Sequence, residues 1–93
     1  MIRGFADKET QRVWTGEGSR KLPSDIQQLA RRKLTQLEAA ERPDDMRVPR
    51  GNRFEELKGA RKGTYSVRIN DQWRVTFSWS GGDAHDVRIE DYH

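Results

Sequence analysis

The chain has 93 residues, no cysteine, 32% hydrophobic and 35% charged side chains, and a mean hydropathy of −1.09. At this length one modest two-layer core is the ceiling, so residues 1–93 are expected to form a single domain; without cysteine there is neither a disulfide framework nor a thiolate metal site. The net charge of +3, with a pI near 9.6, permits a polyanionic partner, and no apolar run or leader suggests a membrane span or export, so a cytoplasmic protein is expected.

In chain order, Met1 to Phe5 alternates weakly and reads as a short first strand, and Asp7 caps a short helix running to about Thr15, stopped by Gly16 and Gly18. Ser24 followed by Gln27 has the form of a capping box, and Ile26, Leu29, Ala30, Leu34 and Leu37 recur at helical spacing. These predict an amphipathic helix over residues 25–41, ended by Arg42-Pro43. Arg31, Arg32 and Lys33 on its other side read most simply as a solvated face, with an RNA contact as the alternative. Residues 46–52 read as a loop.

After Arg53 the pattern turns to alternation. Thr64–Ile69 and Trp73–Trp79 predict two strands joined by a tight turn at Asn70-Asp71-Gln72, and the glycines of Ser80-Gly81-Gly82-Asp83 predict a second hairpin into Ala84–Ile89. The fold class is α+β: a short N-terminal strand, two helices, then an antiparallel β-sheet with the helices packed on one face. Strand parity puts Tyr65, Val67, Ile69, Trp73, Val75, Phe77, Val87 and Ile89 on the helix side, with His85 among them as a structural residue. Arg68, Arg74, Arg88 and Tyr92 then project from the other face, either as a phosphate-binding surface or as the polar side that such a sheet shows to water.

No metal motif, phosphate loop, dinucleotide fingerprint or hydrolase triad is present, so no cofactor is expected. Between positions 58 and 74, Lys58, Arg61, Lys62, Arg68 and Arg74 face one acid, Asp71. The chain then ends in Glu90-Asp91-Tyr92-His93, a carboxylate, phenol and imidazole cluster opposite Lys58 and Arg74 in the expected meander. Metal-free RNA cleavage needs a group to take the 2′-hydroxyl proton, a group to protonate the 5′-oxygen, and fixed positive charge on the phosphate. His93, Asp91 and Tyr92 are candidates for the first two tasks, and Lys58 with Arg74 for the third; otherwise His93 is a frayed last residue.

The segments Leu57-Lys58-Gly59, Gly63–Phe77 and Glu90-Asp91-Tyr92-His93 carry a resemblance. Over essentially its whole length the chain closely resembles the HigB-type toxins, the plasmid-maintenance killer branch of the RelE/ParE superfamily. The resemblance implies a toxin of a type II toxin–antitoxin pair, a metal-independent endoribonuclease that cleaves mRNA in the A site of the 70S ribosome. It also implies a helix-turn-helix antitoxin of the HigA type, through whose complex alone operator DNA is bound. Asp91, Tyr92 and His93 fall on the family's catalytic terminus and Lys58 and Arg74 on its cationic site, with Arg61, Lys62, Arg68 and Glu55 as RNA-binding candidates. Glu55 is a departure: a histidine can stand at this place in active members, and a glutamate either replaces it as base, opposes an anionic substrate, or is an ordinary exposed strand residue. The alternatives are a toxin of this fold that binds a target such as DNA gyrase, as the ParE branch does, and an inactive homologue that only binds its antitoxin.

Overall fold

The computed structural model describes residues 1–92. Helix α1 (Lys8–Thr15) follows the sequence closely: the Asp7 carboxylate accepts the Thr10 amide at 2.8 Å, and Gly16, at φ 90°, ends the helix in the left-handed conformation that glycine adopts without steric cost. Helix α2 (Ser24–Ala39) differs at both ends from the expected 25–41. Pro23 occupies the cap position without a side-chain bond, and Ser24 is already helical. Gln27 turns back onto the preceding loop instead, accepting from the Ser19 amide at 3.0 Å and donating to the carbonyls of Ser19 and Leu22 at 2.8 and 2.9 Å. That loop has backbone polar groups with no ladder to join, and the amide satisfies three of them. At the other end Ala40 is extended, and residues 43–47 and 50–52, expected to include open loop, form two short 3₁₀ turns.

The sheet comprises β1 (Glu55–Glu56), β2 (Thr64–Arg68), β3 (Trp73–Ser80) and β4 (Asp83–Asp91), antiparallel in the order β1-β2-β3-β4. The β2–β3 turn is held by Asn70, whose Oδ1 accepts the amides of Gln72 and Trp73, both at 2.8 Å. Ile26, Ala30, Leu34 and Leu37 of α2 pack with Val67, Val75, Phe77, Val87 and Ile89 into one buried core. Each fully buried aliphatic or aromatic side chain of this kind contributes about 1.5–3 kcal/mol.

Two expectations need correction along β4. Thr76 pairs with Arg88 but Ser78 with His85, so β4 carries one extra residue there, and Asp86 sits at φ 51°. The bulge resets parity: Ala84, opposite Trp79, enters the core, while His85 lies opposite Ser78 on the other face, its Nε2 3.1 Å from the Ser80 carbonyl oxygen. His85 is therefore not on the apolar side. The N-terminal segment, on the other side of β4, makes two isolated parallel bridges, Ile2 to Ala84 and Phe5 to Val87, in place of the expected strand.

Candidate active site

The face of the sheet away from the helices is not open at its centre. Arg74 is 8% exposed, and its neighbours Ser66 and Thr76 are buried. Arg74 faces Arg68 on β2 and Glu90 on β4 in the register. Its Nε donates to Ser66 Oγ, its Nη2 donates to the Arg53 carbonyl at 2.8 Å, and its guanidinium lies 4.8 Å from the centroid of the Tyr92 ring. Nη2 is also 3.8 Å from Glu55 Oε1. Burial draws the Arg74 pKa down from its usual value, with Arg68 and Arg53 adding to the effect and Glu55 and Tyr92 opposing it. Guanidinium basicity is high enough that the group remains a cation at neutral pH, here locked in one orientation.

Tyr92 is placed by its backbone, whose amide donates to the Gln72 carbonyl at 2.6 Å, and by its hydroxyl, which donates to Glu55 Oε1 at 3.0 Å. The hydrogen bond to Glu55, and then that carboxylate's charge, push the phenol's pKa up, so Tyr92 is a proton-bearing donor. Glu55 opens the edge strand β1, where its Cα partner is Ser66, and this brings it over the same face as Arg74.

Sequence reasoning left Glu90 outside the chosen site residues. Its oxygens accept both terminal nitrogens of Arg61, at 2.7 and 2.9 Å, and Thr76 Oγ1 donates to it at 2.6 Å. The Arg61 bonds hold the Glu90 carboxyl below the usual carboxylate range, with Thr76 helping and burial opposing, and the same pairing raises Arg61. Parity was the available signal, since Glu90 is two residues from Tyr92 and thus on its face. Arg61, expected to bind RNA, is already engaged by this carboxylate. Arg68 likewise pairs with Asp71 across the β2–β3 turn.

The remaining candidates lie around this cluster. Lys58 and Lys62 bracket the 3₁₀ turn Gly59–Arg61; both are exposed, and their side chains make no hydrogen bond or ion pair with another described residue. With Glu56, Leu57 and Gly59 they line a surface depression. Asp91, the partner of Trp73, alternates with Glu90 along β4 and accepts from Gln72 Nε2 at 3.0 Å. His93 lies outside the described residues. The structure thus brings together Arg74, Tyr92, Glu55, Arg61 and Glu90, with Arg68 beside them. Among the described residues no group of three or more His, Asp or Glu side chains is arranged to hold a metal ion, and no helix is long and apolar enough to cross a membrane.

Residues 3–93 match the family model described as RelE-like toxin of type II toxin–antitoxin system HigB. The chain is 38% identical over 91 residues to Toxin HigB-1 of Vibrio cholerae, covering 97% of this chain and 96% of that protein. A shorter stretch of 37 residues is 46% identical to Endoribonuclease HigB of Proteus vulgaris, covering 40% of each chain. Among solved structures, a mutant of YafQ from E. coli superposes with a TM-score of 0.62 at 11% identity, over 98% of this chain and 93% of the other, a likeness of fold.

Proposed function

We propose that this chain, which belongs to the RelE-like toxins of the type II toxin–antitoxin system HigB, is an endoribonuclease that cuts mRNA in the ribosomal A site and so arrests translation. The observation that carries the reading is Arg74: a nearly buried cation, fixed by Ser66 and the Arg53 carbonyl, with a phenol stacked on it. Fixed positive charge of this kind suits the charge that builds on a phosphate during transfer, because it needs no reorganisation as the reaction proceeds. The similarity to a protein named Endoribonuclease HigB supports the same chemistry.

In this scheme Lys58 joins Arg74 in neutralising the scissile phosphate, and Lys62, with Arg61 and Arg68 where their carboxylate partners yield, guides the RNA backbone. Tyr92 offers a stacking surface for a base and a hydroxyl donor. Asp91 and His93 manage the proton transfers, and the products are a 2′,3′-cyclic phosphate and a 5′-hydroxyl. A small site with few groups that titrate near neutrality gains from the 70S ribosome, which holds mRNA in a cleavable geometry; positioning alone supplies several kcal/mol. As a type II toxin the chain has a cognate antitoxin. We assign that partner to the helix-turn-helix HigA type, which binds operator DNA as the complex, and place residues 1–93 as a single toxin domain in the cytoplasm.

Primer extension on an mRNA under translation in a reconstituted system tests this, with the intact chain and a form lacking Asp91 to His93. Cuts phased to A-site codons that vanish with the truncation are expected. Uncleaved mRNA with the folded intact chain refutes the proposal and favours target binding without cleavage.

A further inference from the structure

The strand parity that puts Glu55 on the Arg74 face turns Phe54 and Glu56 to the opposite one, where Glu56 lies across from Tyr65. There Phe54 stacks on Tyr65, with ring centroids 5.5 Å apart and planes 9° from parallel, and Tyr65 stacks in turn on buried Phe77 at 5.6 Å. The Arg47 guanidinium lies over the Phe54 ring, 5.0 Å from its centroid, and carries this column into solvent, its side chain being 61% exposed. The exposed end borders a second surface depression of about 290 Å³, lined also by Arg42, Asp44 and Glu56. The Glu56 carboxylate and the Tyr65 hydroxyl make no hydrogen bond or ion pair with another described residue. Between the depression and the Arg74 face stands Arg53. It is exposed, at φ 44°; its carbonyl holds Arg74, and its charge is close enough to lower the Arg74 pKa. The two faces thus meet beside β1 at a cation with no ion-pair partner among the described residues.

We propose that the depression beside Phe54 is a nucleobase subsite for the RNA strand whose phosphate lies at Arg74, with guanine the base it fits best; this rests on the endoribonuclease reading given above. A strand leaving Arg74 across the β1 edge meets Arg53, which suits a phosphate, and then the end of the aromatic column, which suits an unstacked base. Single-stranded bases are held in this way, stacked on aromatic rings or on an arginine plane with their edges hydrogen-bonded. A site carrying both signs of charge, Arg42 and Arg47 with Asp44 and Glu56, is poorly suited to a bare phosphate, and its polar rim selects among bases. Guanine turns two donors, N1–H and the N2 amino group, toward a carboxylate such as Glu56, and offers O6 and N7 to an arginine. Adenine and cytosine set one donor beside an acceptor on that edge, and uracil sets one donor between two acceptors, so each would turn an acceptor toward the Glu56 charge. The reacting phosphate and the base that sets sequence preference are then read on opposite faces of the sheet.

Two measurements on the full chain test this. In the first, the NMR signals of the Phe54 and Tyr65 rings and the Arg47 guanidinium are followed as 2′-O-methyl oligouridylate bearing a single guanosine, adenosine or cytidine is added; the 2′-O-methyl group blocks cleavage. The guanosine oligomer should shift these signals and bind about tenfold more tightly than the others, and Glu56→Gln should remove that preference, since an amide sets a donor beside its acceptor. Arg47→Gln, at an exposed position, and Phe54→Leu, which keeps apolar volume against Tyr65, should each weaken binding about tenfold, with thermal melts verifying that the variants fold. Guanosine monophosphate binding as tightly as the oligomer would assign the depression to a free nucleotide and overturn the RNA path. In the second, primer extension on purified translating ribosomes scores each cut against its flanking bases for the parent and Glu56→Gln. The parent should favour guanine at a fixed distance from the cut, and the variant should lose that bias, which a merely structural role for Glu56 would not alter. A parent that cuts without the bias, or whose bias survives Glu56→Gln, overturns the inference and leaves the proposed function standing. A parent that does not cut overturns the proposed function, and the NMR titration then decides the subsite by itself: shifts with a guanosine preference uphold it, and unmoved Phe54 and Tyr65 signals overturn it.

Discussion

Arg74→Ala is the perturbation whose consequences the structure sets most tightly, because it separates two effects of one side chain. Removing the guanidinium leaves Ser66 Oγ, fully buried, and the Arg53 carbonyl without their donor. Hydrogen bonds to a charged group contribute about 1.5–3 kcal/mol each, and the ring contact with Tyr92 about 1 kcal/mol. Against these stands the cost of holding a cation 8% exposed, visible in its lowered pKa, so the net destabilisation should be about 2 kcal/mol. In a chain of this size that lowers Tm by about 8–16 °C. Cleavage should fall further than stability explains, by about 10²–10³ in rate, the worth of one fixed donor to a transition-state oxyanion. Arg74→Lys keeps the charge but not the planar fork that reaches Ser66 and Arg53 together, and should regain part of the rate. Differential scanning fluorimetry and single-turnover cleavage well below the variant's Tm measure the two effects separately. An Arg74→Ala protein with the parental Tm, or one that cleaves at the parental rate while folded, would refute the reasoning.

Two further predictions concern the frame around the site. Arg61 and Thr76 hold the Glu90 carboxyl below its usual range, so the stabilisation it gives is complete above the pKa of an unfolded glutamate and is lost as pH falls through the lower folded value. In urea melts the parent should exceed Glu90→Gln by about 1 kcal/mol at neutral pH, Arg61 being half-exposed, with the difference shrinking below about pH 4.3; a difference that grows on acidification contradicts the assignment. Thr10 is fully buried, and its Oγ1 accepts the Ile89 amide at 2.9 Å, tying α1 to β4 beside the site strand. Thr10→Val should cost about 1–3 kcal/mol and speed hydrogen exchange at Ile89, and an unchanged exchange rate there argues against the bond.

Helix α1 was legible because two local signals agree, the Asp7 cap and the stop at Gly16; the β2–β3 hairpin was legible because alternation and an asparagine turn coincide. The bulge in β4 was not, since one inserted residue at Asp86 leaves composition and hydrophobicity unchanged and shows only when β3 fixes the register on both sides. Assigning His85 to the core was the direct result. The burial of Arg74 was hidden for a different reason. An arginine on a strand reads as exposed, and what covers this one comes from Arg53 and Tyr92, which stand 21 and 18 residues away along the chain. The Ser24 capping box failed where a competing use of Gln27, satisfying the Ser19–Leu22 loop, outweighed it.

The pairing of charges on this face shows how so small a sheet can hold Arg74 as a nearly buried cation while remaining folded. Arg61 is neutralised by Glu90 and Arg68 by Asp71, each through contacts made within the fold. Arg74 is different: the groups that hold it are mainly neutral, a hydroxyl, a carbonyl and an aromatic ring, and its carboxylate neighbour Glu55 stays at 3.8 Å. At that separation the attraction ranges from about 1 kcal/mol in water to about 4 kcal/mol near a protein surface. A phosphate oxygen at hydrogen-bond distance makes a shorter, charge-assisted contact and can compete for the guanidinium without pulling it from its neutral supports. On the proposed reading the labour divides: Lys58 and Lys62, exposed on flexible stems, would attract RNA through screened long-range charge, while Arg74 would offer the phosphate a cation already fixed by neutral contacts. Neutral anchors around Arg74 and carboxylate partners for its neighbours are therefore one requirement seen from two sides, since exchanging them would leave Arg74 paired and, on the proposed function, the phosphate without a fixed host.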